Sequence, residues 1–381
     1  MFRANSQRTG VYNTRGVRDL RGIKWKLKKI VSGKPVFGDR VLYLLNNNGY
    51  LDAIDIQTGQ ELWSFQLEID ASFPYLFSYS LSLIFHDGVI YISGRAGYLC
   101  AIDVRTRQQK WRIKTSDSSN TVPVKTLEIV IAEPVLCVSD PDGYFYGLDK
   151  ESGQLIWTFQ TIQNVEMTHP ATANGVVFVG NRRGDLYAID ARTGQQQWKC
   201  ELRPFGSDSV PVFVDDVIYI SANKGIVYAL NANTGQEIWQ FITENSSIPI
   251  TSLAIANGFV YLGITGGIYA INIENRREVW KKVQNQAFLF NELALTPEGI
   301  LYCASWGAVY AFDGLTGQEL WKFIAPIPNG WLFQPNSWLN LIGNNIKEII
   351  TGTTFVIFSN PIIIDGVIYV ICNDGYVYAL H

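Results

Sequence analysis

Three histidines, five cysteines and eleven tryptophans are the residues of this chain best suited to chemistry or recognition. His86 precedes an Asp87-Gly88 turn, His169 precedes Pro170 and His381 is terminal, so no two stand at a metal-ligand spacing. The cysteines (Cys100, Cys137, Cys200, Cys303, Cys372) are odd in number and far apart, which suggests neither a disulfide framework nor a zinc site. They read as small strand hydrophobes. No Gly-x-Ser-x-Gly elbow or phosphate-binding loop appears. Gly180-Asn181-Arg182-Arg183-Gly184 is a turn that no helix follows, so it is not a phosphate cradle. No catalytic set, metal or cofactor is predicted. The tryptophans are more regular, and point to recognition and packing.

The chain's balance narrows the classes further. Apolar residues make up 47% and charged residues 17%, which specifies a packed globular chain. A net charge of −3 argues against a nucleic-acid partner. No window is apolar enough for a membrane helix, and the first residues lack a signal-peptide core. A cytoplasmic monomer is therefore expected, or a periplasmic one if a leader has been removed.

The elements that position these residues are repeats. Trp25, Trp63, Trp111, Trp157, Trp198, Trp239, Trp280 and Trp321 recur in register, with a 41-residue step from Trp157 onward. Asp55, Asp103, Asp149, Asp190, Asn231, Asn272 and Asp313 keep the same register, and His381 ends the series. Short alternating apolar runs between Gly and Asn/Asp turns read as strands, four per repeat. The predicted fold is all-β: a single eight-bladed β-propeller of four-stranded antiparallel blades. Trp25 has no strand trio before it, and the last trio, ending Tyr376 to His381, has no tryptophan strand after it. The N-terminal strand Ile23–Leu27 should therefore complete the last blade and close the ring. Residues 1–22 read as a lead-in and 23–381 as the propeller, with a long insert at about 324–360.

The pattern Tyr-x-Ala-φ-Asp-x-x-Thr-Gly-Gln-x-x-Trp, where φ is apolar, is clearest at Tyr187–Trp198, Tyr228–Trp239 and Tyr310–Trp321. It resembles the tryptophan-docking repeat of the pyrroloquinoline-quinone (PQQ) propellers. Phe2 to Gly10 also looks like the lead-in before such propellers in bacterial scaffold proteins. The resemblance implies the propeller fold over residues 20–381. It implies either of two functions, since relatives include quinone enzymes and interaction scaffolds, among them the propeller lipoprotein of the outer-membrane β-barrel assembly machinery. The enzymes carry an adjacent cysteine pair over the cofactor, and this chain has none. The lipoprotein's lipobox cysteine is likewise absent from the chain.

The most informative positions are those where the repeat breaks. In a blade the strands run A to D outward from the axis. The D-to-A connectors and B–C turns thus share one face, here the top, and the Thr-Gly turns share the other. The repeats after Trp63, Trp111 and Trp321 are 7, 5 and 27 residues longer than the 41-residue step, all in one sector of the ring. Trp306, Trp331 and Trp338 stand outside the repeat series and on the top face, with Phe333 beside them and Phe73, Tyr75, Phe77 and Tyr79 in the connector between blades 1 and 2. Two readings stand: a small aromatic core sealing the channel mouth, or a recognition surface for a protein, a peptide or a small apolar ligand. Arg95, Arg182, Arg183 and Lys224, with Asp140, Asp142 and Asp374, occupy other B–C turns, as solvated turn residues or as a ring orienting a charged ligand. His169, at the start of a strand A, is expected to face the channel as a satisfied structural histidine. The expected function is a non-catalytic scaffold binding a protein or peptide through its top face. The alternative is an enzyme or small-molecule binder with a pocket at the channel mouth.

Overall fold

A computed structural model describes residues 5, 7–31, 34–46, 48–67, 82–94, 98–114, 128–139, 143–162, 165, 167–202, 210–244, 250–264, 267–283, 291–305, 308–325, 361–372 and 374–381. They form eight four-stranded antiparallel sheets, each with consecutive strands in order except the last. That sheet takes its outermost strand from Ile23–Lys28, which pairs with Tyr376–Leu380. The N-terminal strand thus completes blade 8, as predicted. Eight apolar clusters lie one between each pair of neighbouring blades, the last joining blade 8 to blade 1 and closing the ring.

The repeat sequence builds each blade in the same way. In blades 2, 4, 6 and 8, Asp-Gly or Asn-Gly pairs make two-residue A–B hairpins with both residues at positive φ, for instance 51° and 75° at Asn174-Gly175. A bulge in strands C and D then sets each tryptophan opposite a small residue, as Ala188 faces Trp198 and Gly147 faces Trp157. In the C–D turn, Asp190 Oδ1 accepts hydrogen bonds from the Thr193 amide and hydroxyl, both at 2.8 Å. These donors hold the Asp190 carboxyl below its usual range, and similar turn bonds act on Asp55, Asp103 and Asp149.

The turn glycine meets two demands. Gly194 has φ +72°, and a Cβ there would lie 2.7 Å from the ring of Trp157 in the preceding blade. The indole docks on that bare backbone and donates from Nε1 to the Ala191 carbonyl at 2.8 Å. Trp25, Trp111, Trp198 and Trp280 make the same bond to Ile56, Lys150, Ala232 and Gly314 of the following blade. Where the glycine is missing, Arg107 and Arg276 take the same left-handed backbone.

Blade 8 has no C–D turn of its own, because its strand D comes from the N-terminal segment. The segment ahead of Trp25 fills the gap. The Val17 carbonyl accepts from Trp321 Nε1 at 2.9 Å and from the Tyr302 hydroxyl at 3.1 Å, and the Val17 side chain joins the blade 7–8 core. Upstream, residues 7–15 run along the hairpin end of the innermost strands. The carbonyls of Gln7, Thr9 and Gly10 accept from Phe213, Ile255 and Leu295 of blades 5, 6 and 7, and Thr14 Oγ1 accepts from Asp365 in blade 8.

Candidate functional site

Charge gathers at the innermost strands of blades 3 and 4, and apolar surface at those of blades 8, 1 and 2. Arg8, 1% exposed, extends from the lead-in to blades 3 and 4. Its Nε donates to the Pro170 carbonyl at 3.1 Å and its Nη2 to the Ile129 carbonyl at 3.2 Å. Beside it, His169 Nε2 lies 2.9 Å from Glu128 Oε1. Glu128 opens the innermost strand of blade 3 and His169 lies just before that of blade 4, so the pair bridges two blades and His169 is a paired histidine. Burial by itself would push the Glu128 carboxyl up. The charges of His169, Lys34 and Arg8, with the His169 hydrogen bond, outweigh it and hold the carboxyl at about 2. A carboxylate so depressed stabilises the fold fully above about 4.5, its ordinary value, and that contribution is lost as pH falls toward 2. The stability gap between wild type and Glu128→Gln, measured by urea titration, should therefore be larger at pH 6 than at pH 3. An equal gap at both would remove Glu128 from the acid response.

Where blades 8, 1 and 2 meet the lead-in, a cavity of about 420 Å³ is lined by Tyr12, Phe37, Phe85 and Ile364, with Asp365 at its edge. That volume suits a small organic ligand. It lies at the hairpin end, opposite the face where a pocket was expected.

Of the predicted site residues, Arg182 is described. It is exposed at the tip of a B–C turn whose bonds run from the Arg183 and Asp185 amides to Asn181 Oδ1. Asp374 accepts from the Tyr376 amide and the Tyr378 hydroxyl, so it serves its own turn. Trp306, Trp331, Phe333, Trp338, Phe73, Tyr75, Phe77, Tyr79, Arg95, Asp140 and Asp142 lie outside the described residues, as do the extra-long connectors. The eight repeat tryptophans each lie on the outermost strand of a blade.

Two further groupings bear on chemistry. His86, Asp87 and Glu133 bring possible metal ligands within 4.8 Å of one another. Lys150 Nζ, however, lies 2.7 Å from Glu133 Oε1 and 3.6 Å from Asp87 Oδ2, so an ammonium already supplies the cation. The five cysteines are free thiols on strands. Burial pushes Cys100 and Cys200 up to about 12, far from thiolate chemistry at neutral pH.

Strand D carries a signal outside the repeat breaks. Three residues after each tryptophan, at the top end of strand D, stand Lys28, Gln66, Lys114, Gln160, Glu201, Ile242, Val283 and Ile324. The position is polar in five blades and apolar in blades 5, 6 and 7, three in succession. Ile242, Val283 and Ile324 are 53%, 65% and 58% exposed. Ile238 and Val279, on the same strand faces in blades 5 and 6, are exposed as well. Reading one column of the tryptophan alignment would have found this arc.

The sequence model of a family described as outer membrane protein assembly factor BamB matches residues 22–140 and 141–381. No curated protein matches the chain. Among solved structures, BamB from Moraxella catarrhalis is 17% identical, covers 95% of this chain and 100% of its own, and superposes with a TM-score of 0.68. The computationally designed Ika8 protein is 17% identical over 95% of this chain and 98% of its own, with a TM-score of 0.69. Quinohemoprotein alcohol dehydrogenase from Comamonas testosteroni is 14% identical over 100% of this chain and 79% of its own, with a TM-score of 0.72. At such identities the likeness to these structures is one of fold.

Proposed function

The chain belongs to the family of the outer membrane protein assembly factor BamB, and on that premise we propose that it is a non-catalytic, monomeric scaffold that holds a protein partner in the cell envelope. The family's description favours the envelope over the cytoplasm expected from composition. The observation that carries the reading is the apolar arc on blades 5–7. Large exposed apolar residues at one repeat position on three successive blades are surplus to folding, because five other blades do without them. The arc lies at the top ends of the D strands, and the insert bearing Trp331, Phe333 and Trp338 follows directly after Ile324. The partner would bury both.

Each of these side chains, already partly covered, contributes about 1–2 kcal/mol on burial in a complex. The combined Ile242→Lys, Val283→Lys and Ile324→Lys variant should melt like wild type and lose the proteins that wild type captures from envelope extracts by cross-linking. Capture of the same proteins by the variant would remove the arc from the interface.

The 420 Å³ cavity favours a second reading, a propeller that holds a small apolar ligand. Native mass spectrometry of the purified protein separates the two: a retained small molecule supports this reading against a pure scaffold.

A further inference from the structure

Residues 15–28 carry Arg15, Arg18, Arg21, Lys24, Lys26 and Lys28 against the single acid Asp19, in a chain whose net charge is −3. All six cations are exposed. Lys24, Lys26 and Lys28 alternate along strand D of blade 8 and share one face, while Trp25 and Leu27 turn inward to the blade 8–1 core. Among the described residues no carboxylate lies within ion-pair distance of Arg15, Arg21, Lys24, Lys26 or Lys28, and Arg18 alone reaches one, Asp313 at 3.5 Å.

Several lysines on other D strands are paired, while among the described residues exposed Lys282 and Lys322 stand singly without a carboxylate. Lys110 pairs with Glu151 at 2.6 Å, Lys199 with Asp185 at 3.2 Å, and Lys281 with Glu244 and Glu278. What sets blade 8 apart among the described residues is three successive lysines on one strand face, none with a carboxylate partner. Exposed Ile23 (37%) and Ile30 (65%) flank it at either end.

We infer that this edge of the propeller docks on an anionic phospholipid surface. Three lysine ammoniums spaced over roughly 13 Å of extended strand on the rim suit a plane of headgroups. Lysine is a mobile point charge that needs no fixed bidentate partner, and the flanking isoleucines can enter the interfacial layer. The inference rests on charge and exposure alone and is independent of the protein-binding reading. Edge lysines also deter strand-to-strand aggregation, but that role predicts no preference between lipids.

The test is co-sedimentation of the full chain with vesicles of phosphatidylcholine alone or mixed with phosphatidylglycerol. Wild type should bind the anionic vesicles, release them at raised salt, and ignore the neutral ones. Each lysine near such a surface contributes about fivefold in affinity, so Lys24→Gln/Lys26→Gln/Lys28→Gln should lose about a hundredfold. The variant Lys110→Gln/Lys199→Gln/Lys281→Gln changes net charge equally and should retain binding. No binding by wild type, or equal loss in the two variants, would overturn the inference. Equally tight binding to poly-glutamate or duplex DNA at the same salt would overturn it as well. Should the stripe variant fail to fold, Arg15→Gln/Arg21→Gln provides the same reading through a partial loss, and unchanged binding there counts against docking.

Discussion

Deleting residues 1–28 will abolish the cooperative fold. The deletion strips strand D from blade 8 and leaves Tyr376–Leu380 as an open edge, the arrangement most prone to pairing with another chain. It removes Trp25, whose ring sits on Gly59 and whose indole bonds Ile56; such a loss alone costs about 3–5 kcal/mol. It also removes the Val17 carbonyl, which leaves the indole of Trp321 and the hydroxyl of Tyr302 without that acceptor. Together these fall within the roughly 5–15 kcal/mol that holds a typical domain folded, so little or no net stability remains. Calorimetry of the truncated chain should show no cooperative transition, or the chain should aggregate. Deleting residues 1–21 alone keeps the closing strand and should give a weakened but cooperative melt. A 1–28 deletion that melts like the full chain would show that the ring does not depend on this closure.

Arg8→Ala should cost about 3–5 kcal/mol, because it removes one member of a buried charged network and leaves the others in place. Two innermost-strand carbonyls, of Ile129 and Pro170, lose these donors, and Glu128 loses a nearby cation. Alanine must also adopt the left-handed backbone that Arg8 occupies at φ 62°. Arg8→Lys keeps the charge but not the two-pronged reach, and should recover only part of the loss. Equilibrium urea denaturation measures both. A loss below about 1 kcal/mol for Arg8→Ala, the scale of an ordinary surface change, would mean that this network is dispensable.

The two predictions differ in how visible their causes are in the chain. The closing strand is legible because Trp25 and the terminal trio are each half of a unit written eight times, and periodicity exposes what is missing. That Asp190 caps its turn and that Trp198 packs between blades follow from spacing within one hairpin. The apolar arc was legible too, since Ile242, Val283 and Ile324 share one alignment column, but it appears only when exposed positions are compared blade by blade.

Arg8 has no such column. It stands once, in a segment without repeats, and its partners lie 121 and 162 residues away. Nothing in Val17 marks it as the residue that replaces the missing turn of blade 8, nor in Glu128 that it will meet His169, Lys34 and Arg8 in one cluster. The sequence by itself determined the strands, the turns, the count of blades and the need for closure, because hydrogen-bond periodicity and turn chemistry act between near neighbours and repeat. Tertiary structure alone decided the charged cluster at blades 3 and 4, the cavity beside Phe37 and Phe85, and which cations of residues 15–28 stay unpaired. Those depend on distances between segments remote in the chain, which exist only once the ring has closed.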